Sequence, residues 1–361
     1  MDSVTQFALG AAVGAAALGP RIGMRKAALI GGLYGTVPDL DTFLPSPDPV
    51  TSFTSHRGAS HSLVIQLLAA PLFAEPLVRV FRGLNDKRLF TYVAVYLMFA
   101  THALIDAMTV YGTRLFWPLY EGPVGVGSIF IIDPLYTLPL LLVTLWAILL
   151  NPVSSRFRGW LTGALVVSTL YMLGTAGLQQ IANARAATWL AARGIEADRT
   201  LSIPTPFNTL YWRTIVIDGS RYLNVYQPLI GDDVTVYAHS RHPELEGCLA
   251  DTPAYRDLVA FTKGFYRMEE KDGKIIFSDL RIGLTPNYVF RFKLGETENG
   301  VPNAVPSPTR EPTIRGTVGD IDWLLAGIAG AQTVRDAEKH AYLPQPDEML
   351  AVIPKKSGLC G

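Results

Sequence analysis

Three short polar clusters carry three imidazoles and three carboxylates. Asp39 and Asp41 lie in Pro38-Asp39-Leu40-Asp41, His56 and His61 in His56-Arg57-Gly58-Ala59-Ser60-His61-Ser62, and His102 and Asp106 in His102-Ala103-Leu104-Ile105-Asp106. Imidazole nitrogen and carboxylate oxygen form the mixed donor set that suits zinc and similar divalent cations. A spacing of four puts His102 and Asp106 on one helix face, a turn apart, where both can reach one ion. Each cluster alone has a plainer account. The HxxxD pair is also an interhelical hydrogen-bond pair, the Asp39/Asp41 pair a solvated turn or cap, and Ser60 or Ser62 the N-cap of the next helix. Taken together they favour a metal centre, because three of the chain's six histidines gather here. His239, His242 and His340 read as surface residues of the polar half.

The expected ligands are therefore Asp39, Asp41, His56, His61, His102 and Asp106, around one or two divalent ions, zinc first. Asp41, His56 and Asp106 are expected to take part in the chemistry as well. A metal lowers the pKa of bound water, so hydrolysis needs no serine or cysteine nucleophile. Arg57 and Arg114 lie beside the clusters, and guanidinium groups bind phosphate or carboxylate in bidentate fashion. The alternative for both is snorkelling to lipid headgroups. Tyr111 either completes that anion site or joins Trp117 and Tyr120 in an interfacial aromatic belt. Asp133 reads as a helix N-terminal carboxylate or as a partner to a histidine ligand.

The elements that must position these groups are apolar. Hydrophobic residues make up 49% and charged residues 17%, well below the roughly 25% charge of soluble domains. Apolar segments at 4–19, 26–37, 62–81, 89–110, 128–150 and 159–181 predict about six membrane helices. Pro71 and Pro76 predict a kink in the third. Met1-Asp2-Ser3 carries no basic residue, so the first segment is expected to stay as a helix rather than serve as a cleaved leader. The formal net charge is zero, which gives no bulk argument for nucleic acid as a partner. Cys248 and Cys360 are in no CxxC pair; they are either one disulfide or two free thiols.

Basic residues in the short loops set the orientation. Arg21, Arg25, Lys26, Arg79, Arg82, Lys87, Arg88, Arg156 and Arg158 fall on one side, and only Arg57 and Arg114 on the other. This bias predicts a multi-pass protein with cytoplasmic basic loops. All three polar clusters and the C-terminal half then lie outside. Ionisable groups at such depth are costly when unpaired and usually mark a site.

From residue 182 the pattern changes. Ala184 to Ile195 predicts an amphipathic helix ended by Pro204 and Pro206. Alternating runs over about 205–296, separated by Asp218-Gly219 and Asp272-Gly273, predict a largely antiparallel β domain. The Pro-rich stretch 297–317 reads as a loop and 318–340 as a helix. The predicted fold is thus an α-helical integral membrane domain (1–181) followed by an extracytoplasmic α+β domain (182–361).

The three motifs, in this order, resemble those of the membrane-bound, metal-dependent hydrolases of the YdjM-like group. Those bacterial inner-membrane proteins carry an HRxxTHS element and an HxxxDxxTxYG element; here they stand as His56–Ser62 and His102–Gly112, with Ser60 in place of the usual Thr. The resemblance covers about residues 1–150. It implies a hydrolase of the bacterial inner membrane. The HxxxD helix is also similar to one in zinc-dependent phospholipase C enzymes, which implies attack on a phosphoester of an anionic lipid or envelope small molecule. The competing expectation is non-catalytic: a transporter, or an anchor with a structural polar cluster. A transporter should show internal repeats and polar groups at the midplane; the sequence shows neither. Nothing in it fixes the oligomeric state.

Overall fold

The computed structural model describes residues 1–247, 249–298, 301–313 and 316–343. Cys248 and Cys360 lie outside the described residues. The chain forms two compact units. One comprises 1–44, 56–177 and 206–208; the other comprises 45–55, 178–205 and the chain from 209 on. The main division falls between Gly177 and Leu178, where the sequence put it at 181/182.

The first unit is helical. Helix α1 (Ser3–Ile22) starts at Asp2, whose carboxylate accepts from the Val4 and Thr5 amides. Gly23, at φ 90°, ends it and leads directly into α2 (Met24–Thr36). The two helices pack on glycine. A Cβ on Gly10 would lie 2.4 Å from the Gly31 carbonyl oxygen, and one on Gly14 would lie 2.6 Å from that of Ala27. Such contact between backbones needs residues without side chains, the usual device of membrane helix pairs. α2 continues into a 3-10 turn, Val37–Phe43. After 45–55, which includes α3 (Pro49–Ser55) and belongs to the second unit, a second 3-10 turn (Ala59–His61) leads to α4 (Leu63–Val80). Ser62 caps α4 by accepting from the Ile65 amide at 3.3 Å. Helices α5 (Arg88–Met108), α6 (Pro134–Leu150) and α7 (Ser155–Ala191) follow.

Helices thus occupy all six apolar segments. Four of them, α1, α4, α5 and α7, are long and apolar enough to cross a membrane; α2, with 13 residues, and α6, with 17, are shorter. Leu68, Leu72, Leu142, Leu149 and Leu170 are exposed, as lipid-facing positions should be. Asp133 is the N-cap of α6, accepting from the Leu135 and Tyr136 amides, so the simpler of its two expected roles is the one it fills.

The second unit opens with the end of α7. The helix expected at 184–195 is not separate: α7 runs through to Ala191 because Ile181 to Ala184 holds neither Gly nor Pro to interrupt it. Two four-stranded antiparallel sheets follow. One has the order β1 (Arg199–Pro204), β2 (Tyr211–Asp218), β3 (Arg221–Pro228), β4 (Thr235–Ser240). Helix α8 (Pro253–Thr262) precedes β5 (Tyr266–Lys271) and β6 (Lys274–Asp279), and a small hairpin pairs β7 (Gly283–Leu284) with β8 (Asn287–Tyr288). The second sheet runs β10 (Val301–Arg310), β9 (Arg291–Glu298), β6, β5. Asp272 and Gly273, at φ 52° and 69°, make the tight β5–β6 turn. Strand β10 lies where the sequence predicted a loop. It is an edge strand, so its prolines interrupt no ladder on the open side, and its pairing with β9 shifts register between Ala304 and Thr309. The helix expected at 318–340 is shorter, α9 (Asp320–Ile328), because Gly330 turns the chain at φ 79°. Phe53 of α3 packs on Phe261, Phe290 and Phe292, with ring centroids 4.7, 4.3 and 5.3 Å away.

His239 is buried rather than a surface residue. Its Nε2 lies 3.0 Å from the carboxylate of Glu338, which also takes the Asn224 amide at 2.6 Å and the Tyr226 hydroxyl at 3.1 Å. Arg335, 3.3 Å away, supplies the countercharge.

Candidate metal centre

Four side chains of the first unit converge. The Val37–Phe43 turn supplies Asp39, the Ala59–His61 turn supplies His61, and α5 supplies His102 and Asp106 one turn apart. His61, His102 and Asp106 are buried, and Asp39 is half-buried. His61 Nε2 lies 3.3 Å from Asp39 Oδ1 and 3.4 Å from Asp106 Oδ2. His102 Nε2 lies 3.5 Å from Asp39 Oδ1 and 3.6 Å from Asp106 Oδ2. The two Nε2 atoms are 3.0 Å apart. Metal–ligand bonds of 2.0–2.2 Å place tetrahedral donors about 3.3–3.6 Å from one another; the four nitrogen–oxygen edges fall in that range, the nitrogen–nitrogen edge is shorter, and all four donor atoms lie within 4.8 Å of one another.

The surroundings aim the lone pairs inward. His102 Nδ1 donates to the Gly35 carbonyl at 2.6 Å, which leaves Nε2 as an acceptor. His61 Nδ1 lies 2.8 Å from Ser60 Oγ, and that hydroxyl donates to Asp41 Oδ2 at 2.6 Å. Its one proton committed, Ser60 must accept from His61, so His61 Nε2 is an acceptor too. Asp39 Oδ1 and Asp106 Oδ2 are buried oxygens that accept no hydrogen bond. Four acceptor atoms therefore face one point, and none of them accepts a hydrogen bond from a donor within the group. The residues fit a divalent cation.

Asp106 Oδ1, the other oxygen, takes the Gln6 amide at 2.9 Å and touches the Met1 amine. The sequence reading missed Gln6. The available signal was a polar residue inside an Ala/Gly-rich helix, where burial requires a polar partner.

Asp41 and His56, both expected as ligands, stand apart from this group and pair with each other, Asp41 Oδ1 to His56 Nδ1 at 2.8 Å. Asp41 Oδ2 lies 3.6 Å from His61 Nδ1, the nitrogen on the far side of that ring. Arg57 lies against the donors. Its Nε is 3.0 Å from Asp106 Oδ2, a charge contact without hydrogen-bond alignment. Its Nη1 donates to Thr109 Oγ1 at 3.1 Å, and its guanidinium lies 4.9 Å from the centre of the Tyr111 ring. Tyr111 itself is buried beside His56, with ring centroids 5.8 Å apart. Arg114 donates its backbone N–H to the Arg57 carbonyl at 3.0 Å.

The charges respond to this packing. Burial pushes the Asp39 carboxyl up, but the closeness of the His102 and His61 rings outweighs it and holds its pKa below the usual range. Burial likewise works against the Asp41 carboxylate, which His56 and Ser60 hold low.

A family model described as YdjM inner membrane protein matches residues 1–182. The chain belongs to that family. The YdjM match covers every residue of the four-donor group and the Asp41–His56 pair beside it. The chain is similar to the uncharacterized protein YfhP of Bacillus subtilis (strain 168), at 30% identity over 142 residues, or 37% of this chain and 42% of that protein. It thus spans less than half the length of this relative. No solved structure matches it. Membership and the four long apolar helices place this YdjM protein in a membrane.

Proposed function

We propose that the chain is a multi-pass inner-membrane hydrolase built on a divalent metal centre, zinc being the best fit. The observation that carries the reading is the convergence of four buried acceptor atoms, none of which accepts a hydrogen bond from a donor within the group. A divalent ion held there would supply Lewis acidity and water of lowered pKa. Asp39, His61, His102 and Asp106 would hold it. Asp39 is the most exposed of the four and marks the side from which substrate would approach.

The charge balance points to an anionic substrate. The Asp39 and Asp106 carboxylates offset a dication; Arg57, 3.0 Å from Asp106, and the Met1 amine against the same carboxylate add positive charge, and Asp41 behind His61 adds a negative one. A phosphoester of a lipid or an envelope small molecule suits that field. The loop-charge bias supports an extracytoplasmic side for the site and for the C-terminal unit. Arg57, which lies against the centre, would hold the anionic group together with Tyr111 and Arg114.

A second reading has an observation of its own. Four protein donors are enough to fill a four-coordinate ion, as in structural zinc sites, whereas catalytic sites keep a position open. The experiment that separates the two is turnover of a phosphoester panel by His102→Gln in the purified protein. Loss of turnover with the fold retained supports the hydrolase. No phosphoesterase activity in the metal-loaded wild type, together with a lowered unfolding midpoint in the variant, supports the structural ion.

A further inference from the structure

Asp41 stands next to the donor group without entering it. Its Oδ1 is 2.8 Å from His56 Nδ1. Its Oδ2 accepts the Ser60 hydroxyl at 2.6 Å and the Arg57 backbone N–H at 3.2 Å. The direct separation of Oδ2 from His61 Nδ1 is 3.6 Å, too long for a hydrogen bond. Ser60 closes that gap, 2.8 Å from His61 Nδ1. The carboxylate can only accept, so the direction of the whole chain is set: His61 N–H to Ser60, Ser60 O–H to Asp41.

We infer that Asp41 is a positioning residue that acts through Ser60 to hold His61 with Nε2 facing the other three donors. This rests on the metal-centre reading. Two carboxylates on one 3-10 turn thereby take different tasks. Asp39 faces the donors, and Asp41 faces the back of a histidine. Carboxylates commonly orient metal-binding histidines by direct contact, and their loss weakens metal affinity about 10–100-fold. Here a serine hydroxyl is interposed, so the effect must vanish when that hydroxyl does. His56 holds the outer oxygen of Asp41 at 2.8 Å and packs its ring edge-on against that of His61, with centroids 5.7 Å apart.

The test uses the full-length protein in detergent micelles, stripped with a chelator and titrated with Zn2+ or Co2+ alone. Asp41→Asn and Ser60→Ala should each keep one binding site with the dissociation constant raised about 10–100-fold. Ser60→Thr, which restores a hydroxyl, should bind as the wild type does. The cobalt absorption bands of Asp41→Asn should keep their wild-type positions, because the donor atoms are unchanged. Asp39→Asn should shift them. Loss of uptake in Asp41→Asn as complete as in His61→Ala, or a cobalt spectrum changed as in Asp39→Asn, would make Asp41 a ligand and overturn the inference. Wild-type affinity in both Asp41→Asn and Ser60→Ala overturns it as well, with the metal centre left standing. A wild-type protein that takes up no ion removes the centre and this inference together. Ser60→Ala and Ser60→Thr decide the matter even where Asp41→Asn fails to fold.

Discussion

His61 and His102 face each other Nε2 to Nε2 across 3.0 Å, each ring held from behind at Nδ1. With both Nδ1 atoms donating, the two Nε2 lone pairs point toward one another, an arrangement that a cation between them stabilises. We expect the purified protein to contain stoichiometric metal by elemental analysis. His61→Ala and His102→Ala should each remove most of it. Full retention in both variants rejects the centre.

The glycine contact between α1 and α2 makes a prediction about folding. A Cβ on Gly31 would lie 2.3 Å from the Gly10 carbonyl oxygen and 2.8 Å from the Gly14 Cα. Both are backbone atoms with no rotamer to yield. Gly31→Ala should cost about 1–3 kcal/mol, the usual range for overpacking. Gly163 of α7 has nothing within 4 Å of the same position, so Gly163→Ala should be neutral or stabilise by up to about 1 kcal/mol. Unfolding midpoints in a denaturing-detergent titration compare the two. Equal midpoints would mean the helices do not meet on this seam.

Acid should weaken the second unit. Burial raises the Glu338 carboxyl, but His239, Arg213 and Arg335 hold its pKa below the ordinary value. Burial also pushes the His239 imidazole down, against the pull of Glu338. Both groups bind protons less readily folded than unfolded, so the unfolded state gains them first as pH falls. The stabilisation is complete above the unfolded histidine value, near about 6.5. It declines as pH falls below that, and again below the glutamate value of about 4.3. Glu338→Gln should lower stability at neutral pH by roughly 3 kcal/mol and flatten the acid limb. Thermal midpoints from near-UV circular dichroism across this range test it. A variant with an unchanged acid limb contradicts the assignment.

Sidedness is open to chemical labelling. In a background with Cys248 and Cys360 replaced, Thr42→Cys and Leu119→Cys should react with an impermeant maleimide in intact cells. Asp86→Cys, in a basic loop, should react only after lysis. Labelling of Thr42→Cys and Leu119→Cys from opposite sides would rule out one shared pocket.

The donor group was legible because its residue types are few and unusual in apolar surroundings; His61, His102, Asp39 and Asp106 stood out on chemistry alone. Which carboxylate of the Asp39/Asp41 pair faces inward was not legible, since a 3-10 turn and a helix end rotate the second residue differently. Gln6 was missed because an amide inside an Ala-rich helix has many plain accounts. The six helices followed from apolar length. The union of the last with its amphipathic extension did not, because a change of polarity without Gly or Pro bends nothing. Strand β10 was hidden by prolines that an edge position tolerates.

Gly35 lies on the α1–α2 seam, where a Cβ would come 2.8 Å from the Gln6 carbonyl oxygen, and its own carbonyl receives His102 Nδ1. One backbone unit therefore both permits two helices to touch and dictates the tautomer of His102. A side chain at this position would press on the Gln6 backbone and, through the same peptide, on the carbonyl that orients His102.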